Sequence, residues 1–246
     1  SRAEPAFSDL LNYAHLVDDG VILNKDGAFL MSYQFKGIDS HSASGQALDA
    51  VVSSFNRMAL GLEDGWMIHV DEVRVPAVCY SDLGAFPDPV SALIDLDRRQ
   101  CYESQNTHYE NLQFITFVWK FSLPVVKATK HYFVEGLPKE NADQNLSTLL
   151  GEFQNHIARC VGLLSSVCVL KKLSSGDLLT YLSACISGKW LPISVPPNKS
   201  FIDVILGRQS VVGGYVPQIG GKSIRVLSLI GYVNEATYPS MLDELG

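Results

Sequence analysis

Long uncharged apolar runs are missing from this chain of 246 residues. The longest candidate, residues 160–170, is about half of the roughly 18 residues that a membrane-spanning helix needs. The opening Ser1-Arg2-Ala3-Glu4-Pro5 has no apolar region of the kind that marks a signal peptide. There is no Cys-x-x-Cys pair. Five cysteines (Cys79, Cys101, Cys160, Cys168, Cys185) are scattered and odd in number, which argues against a disulfide framework or a structural zinc site and for a reducing compartment. They read as buried thiols, because free cysteine packs as a small hydrophobe. Basic charge is scarce, and the net charge of −7 weighs against a grip on nucleic acid, which depends on neutralised phosphates. The deficit is uneven. Residues 1–119 hold 7 Lys+Arg against 17 Asp+Glu, and residues 120–246 hold 12 against 9, so an anionic partner would meet the second half.

Enzyme motifs are lacking as well. Gly220-Gly221-Lys222-Ser223 invites a phosphate-loop reading, but the first glycine of that pattern would stand at Val216, and a strand-like run follows instead of a helix. The four residues read as a hairpin turn with a solvated lysine. His69, Asp71 and Glu72 lie close together but have no third ligand at metal spacing, and read as the polar outer face of a strand. Asp95 and Asp97, followed by Arg98 and Arg99, fit a charged helix face better than a pair of catalytic carboxylates. No Gly-x-Ser-x-Gly elbow presents a serine, and the other histidines are isolated.

What is present is strong patterning. With 47% apolar and 18% charged residues the chain is globular. Two apolar runs, Val21–Leu23 and Ala28–Phe35, flank Asn24-Lys25-Asp26-Gly27, a turn in which Gly accepts positive φ and Asp tolerates it. This predicts a hairpin with Phe29, Met31, Tyr33 and Phe35 on one face of its second strand and Leu30, Ser32 and Gln34 on the other. Before it, Phe7–His15 reads as a short leading helix. After it, a helix is predicted over 44–62, with Leu48, Val51, Val52, Phe55, Met58, Ala59 and Leu62 recurring at three- and four-residue steps. A strand at Trp66–Val75, a helix from Asp88 or Pro89 to Asn106 through Val90, Leu93, Ile94, Leu96 and Cys101, and a strand at Leu112–Phe121 complete the first half. The second half reads as a long helix over 145–164 and a strand at Val167–Leu173. A helix capped by Ser174 with Asp177 three residues on follows, then three strands near Phe201–Leu206, Ser210–Val216 and Ile224–Tyr232. Pro239 suits the first turn of a terminal helix that the chain end interrupts, the mark of a fragment. The expected class is α+β, with mixed, largely antiparallel sheets and packed helices. Two subdomains are expected, residues 1–124 and 145–246, with 125–144 as the joint.

Four phrases in order resemble the N-terminal region of the conjugative-transfer and type IV secretion ATPases of the TrbE/CagE/VirB family, TrbE type above all. Tyr13-Ala14-His15-Leu16-Val17-Asp18-Asp19-Gly20-Val21 leads into Lys25-Asp26-Gly27-Ala28-Phe29-Leu30 and Gly37-Ile38-Asp39. Asn56 with Gly65-Trp66-Met67-Ile68-His69-Val70 and Arg74 is the second. Phe86-Pro87-Asp88-Pro89-Val90 with Ile94-Asp95 and Arg98 or Arg99 is the third. Gly213-Gly214-Tyr215-Val216-Pro217 with Ile224-Arg225-Val226, Thr237, Pro239 and Leu242 is the last.

The resemblance implies a docking and assembly domain. Its ATPase partner domain, with ATP and Mg²⁺, would lie beyond Gly246, so no catalytic, cofactor or metal residue is carried onto this chain. It also implies oligomers at the cytoplasmic side of the bacterial inner membrane and inner-membrane components of a secretion channel as partners. Loop aromatics beside prolines suggest the contact surfaces: Tyr80 and Phe86 in one loop, Trp190 and Leu191 in another. A stand-alone nucleotide-binding protein or a nucleic-acid-binding module is the alternative.

Overall fold

A computed structural model of the chain describes residues 6–39, 42–77, 80, 86–105, 108–120, 139–196 and 201–226. It divides into two compact units, Ser1–Gln209 and Ser210–Gly246. In the first, the elements in order are α1 (Phe7–Leu10), β1 (Tyr13–Asp18), β2 (Val21–Asn24), β3 (Phe29–Lys36), α2 (Gly45–Leu60), β4 (Trp66–Pro76), α3 (Pro89–Gln105), β5 (Tyr109–Trp119), α4 (Lys139–Leu164), β6 (Val169–Lys172), α5 (Ser175–Ser187) and α6 (Ile202–Leu206). The class is α+β, as the patterning predicts. Among the described residues the strands form one six-stranded antiparallel sheet, ordered β1-β2-β3-β5-β4, with β6 paired to the far half of β3.

The predicted hairpin is its nucleus. The turn closes with Asn24 and Gly27 bonded back across it, and Asp26 Oδ1 accepts from the Ala28 N–H at 3.2 Å. Gly27 takes φ 87° there. Period-two alternation then sorts β3 between two cores. Phe29, Met31, Tyr33 and Phe35 face α2 and α4, and Leu30 faces α5 and α6. The helical stripes pack as their spacing requires. Phe55 and Met58 of α2 and the 146-149-150-153-157-160-161-164 row of α4 join the first core. The helices therefore cover both faces, and the unit is a three-layer α/β/α sandwich. Leu178, Leu179, Tyr181 and Leu182 of α5 fill the second core. Ser174 caps α5, its Oγ accepting from the Asp177 N–H at 3.2 Å. Strand β6, which comes after residues 125–144, thus joins the same sheet as the hairpin that precedes them. Residues 121–138 lie outside the described residues.

Three local expectations change. The leading helix ends at Leu10, and Tyr13–Asp18 forms edge strand β1, because pairing with β2 outweighs a weak local helix preference. Phe201–Leu206 is not a strand. Ile202–Leu206 forms helix α6, which buries Ile202 and Leu206 one turn apart and ties Asp203 to Lys25 by a 2.7 Å ion pair. The outer-face reading of Asp71 also fails. Tyr181 Oη donates to its Oδ2 beneath α5 and meets Thr116 Oγ1 at 3.2 Å, and Thr116 reaches Ser32 Oγ at 2.7 Å. Burial first, and the hydrogen bond to Asp71 next, push the Tyr181 phenol far up from its ordinary value.

The second unit holds three short antiparallel strands, β7 (Val211–Val212), β8 (Gln218–Ile219) and β9 (Lys222–Ser223). Gly220 and Gly221, at φ 57° and 80°, make the two-residue turn that right-twisted strands favour. The Gly220–Ser223 segment is a hairpin with an exposed lysine, as its sequence context indicates. The strand expected over 210–216 shrinks to two residues, and Ile224–Val226 is irregular. The remainder of that last strand and the terminal helix lie outside the described residues.

Candidate docking surface

Strand β3 pairs with β5 only from Gln113 to Trp119, whereas β4 pairs with β5 along its full length. Residues 109–112 therefore run past β3 with β4 alone, as a two-stranded arm among the described residues. Arg74 lies over the Tyr109 ring at 4.4 Å and braces it. Helix α3 connects the arm's strands. Asp88 opens it, its Oδ1 accepting from the Ser91 N–H at 2.9 Å and its Oδ2 from the Ser91 hydroxyl at 2.6 Å, with Pro89 at the first position. Those two bonds hold the Asp88 carboxyl below its ordinary range.

The helix is inverted relative to its sequence pattern. Its inward side is polar and aromatic. Tyr80 Oη donates to Asp95 Oδ1 at 3.0 Å, Arg99 sits 5.3 Å from the Tyr80 ring centre, and Tyr102 packs edge-on against Tyr80 and stacks on His108 at 3.9 Å. The bond to Asp95 raises the Tyr80 phenol above its usual value. Its apolar stripe faces water instead: Val90, Leu93 and Ile94 are 63%, 66% and 50% exposed, and no described side chain of α3 is buried. The spacing of these residues is that of a core stripe, but neither core includes them. A solvent-facing apolar stripe of this kind marks an interaction surface.

Of the four loop residues singled out from the sequence, Tyr80 is a plug under α3, and Phe86, 38% exposed, stands beside the start of that helix. Trp190 is a plug too, stacked on Phe114 at 5.9 Å in the second core. Leu191 points outward at 61% exposure. Gly188 ends α5 in the left-handed region at φ 64°, and the Ile193 N–H donates to Thr180 Oγ1 at 2.9 Å, which pins the segment. Beside it lies a groove of about 410 Å³ walled by Leu191, Pro192, Ile193, Pro196 and Ile205, with Arg208 the one charged lining residue among those described. Sequence reasoning missed the outward turn of α3 and this groove because both are made by what their neighbours leave uncovered. Reading the thiols as buried holds for Cys160 and Cys168, while Cys101 and Cys185 are exposed. Among the described residues no three His, Cys, Asp or Glu side chains cluster as a metal site, and no helix is long and apolar enough to cross a membrane.

Residues 20–124, which contain the hairpin, the arm and α3, match the family described as "Type IV secretion system ATPase VirB4/TrbE, N-terminal domain". The chain belongs to this VirB4/TrbE family. The relatives it resembles are TrbE proteins. It is 36% identical over 118 residues to a probable conjugal transfer protein TrbE of Sinorhizobium fredii (strain NBRC 101917 / NGR234), covering 79% of that protein and 47% of this chain. It is also 28% identical over 257 residues to the conjugal transfer protein TrbE of Rhizobium radiobacter, covering 98% of this chain and 31% of that protein. The chain thus spans under a third of the length of the second relative.

Proposed function

We propose that this chain is the docking and assembly domain of a conjugal-transfer ATPase, coupling a separate P-loop motor to inner-membrane components of a type IV secretion channel. The observation that carries the reading is the apolar face of α3, turned to water at the tip of an arm in a member of a secretion-ATPase family. ATP and Mg²⁺ belong to the motor, and self-association and the inner-membrane components are the domain's business. Its place is the cytoplasmic face of the bacterial inner membrane, reached through partners. Phe86 and Leu191 are the contact residues, and Tyr80 and Trp190 hold them in position. The acidic balance of residues 1–119 speaks against nucleic acid as a ligand of this surface.

The test is capture of identified channel components by the tagged chain from detergent-solubilised membranes of conjugating cells. Phe86→Asp should lower capture at least about ten-fold with an unchanged melting temperature, as for a central interface anchor. Full capture by both Phe86→Asp and Leu191→Asp, with the fold intact, would refute the reading. Calorimetry with ATP should give no binding heat for this chain, and saturable binding would favour a stand-alone nucleotide-binding protein.

A further inference from the structure

The α3 stripe and the Leu191 groove complement each other. One is a convex apolar row, Val90, Leu93 and Ile94, which continues one turn on into Asp97, a carboxylate with no ion pair among the described residues. The other is a concave apolar wall whose lone charge, Arg208, likewise has no ion pair among the described residues. At about 410 Å³ the groove is within the range of roughly 300–1,000 Å³ that seats bulky apolar groups. Both surfaces belong to the unit Ser1–Gln209, and α3 is exposed to solvent there, so the chain does not satisfy one with the other.

We infer that α3 of one copy seats in the Leu191 groove of a second copy, with Asp97 meeting Arg208. This deepens the assembly role proposed above and rests on it. The two patches differ, so the contact is heterologous: each copy gives a helix to one neighbour and a groove to another, and growth stops only where the rotation closes a ring. The charge balance favours this occupant over a membrane surface. Residues 86–105 carry Asp88, Asp95, Asp97 and Glu103 against Arg98 and Arg99, the wrong sign for anionic lipid.

Sedimentation velocity over a concentration series tests it, with circular dichroism as the control for folding. The unaltered chain should grow past a dimer. Leu93→Lys, which spoils the helix, and Leu191→Asp, which spoils the groove, should each stay monomeric alone and form a heterodimer that grows no further when mixed. Asp97→Arg or Arg208→Asp should each weaken association at least about ten-fold, and the two together should restore it. A chain that is monomeric at every concentration overturns the proposal, as does a Leu191→Asp variant that still dimerises alone, which would mean helix-to-helix contact. A monomer that still captures channel components overturns this proposal alone, whereas an assembling chain that captures none leaves it standing and sinks the docking function.

Discussion

Leu93 lies mid-stripe on α3 with 66% of its surface in water, and a change to lysine tests whether the helix is turned outward. Full burial of a leucine side chain is worth about 1.5–3 kcal/mol, so with two-thirds of it already hydrated no more than about 1 kcal/mol is at stake. Lysine matches leucine as a helix former, and with Asp97 four residues on it gains roughly 0.3 kcal/mol. The balance is a change of within about 0.5–1 kcal/mol, or no more than about 4 °C in melting temperature for a unit of this size. Leu178 is the control. It is fully buried in the second core, and Leu178→Ala should cost about 2–5 kcal/mol through lost transfer energy and a cavity. Urea unfolding read by the fluorescence of Trp66, Trp119 and Trp190 separates the two. A Leu93→Lys loss of about 2 kcal/mol or more would place α3 against the core and refute the outward-facing helix.

Tyr181→Phe removes the hydroxyl that joins Asp71 to Thr116 and should cost about 1–3 kcal/mol in urea unfolding, since both partners lose a bond under α5. Gly20→Ala should destabilise by at least about 1–3 kcal/mol, because Gly20 has φ 68° and a Cβ there would stand 2.2 Å from the Leu173 carbonyl oxygen. A wild-type melting temperature in that variant would contradict this. Hydrogen bonds from the Ser175 N–H and hydroxyl to Asp19 hold the Asp19 carboxyl below its ordinary 3.8. A depressed folded value stabilises above pH 3.8 and is lost as pH falls through the folded value. Asp19→Asn should therefore be less stable than the unaltered chain at neutral pH, and the gap should close in acid. A gap independent of pH would rule out this linkage.

Local signals determined much of this protein. The Asp26-Gly27 turn, the alternation of Phe29 to Phe35, the Ser174 cap and the apolar rows of α2 and α4 are all legible in the chain, because turn chemistry and side-chain period act within a few residues. The ordered phrases from Tyr13 onward carried the family in the same way. Tertiary structure alone decided the rest. Strand β6 returns to β3 across more than a hundred residues, the Ser32-Thr116-Tyr181-Asp71 chain joins three strands and a helix, and α3 turns its apolar row outward. A row such as Val90-Leu93-Ile94 has the same spacing whether it meets a core or water. Which of the two it meets depends on what the distant parts of the chain cover, and here they leave α3 bare.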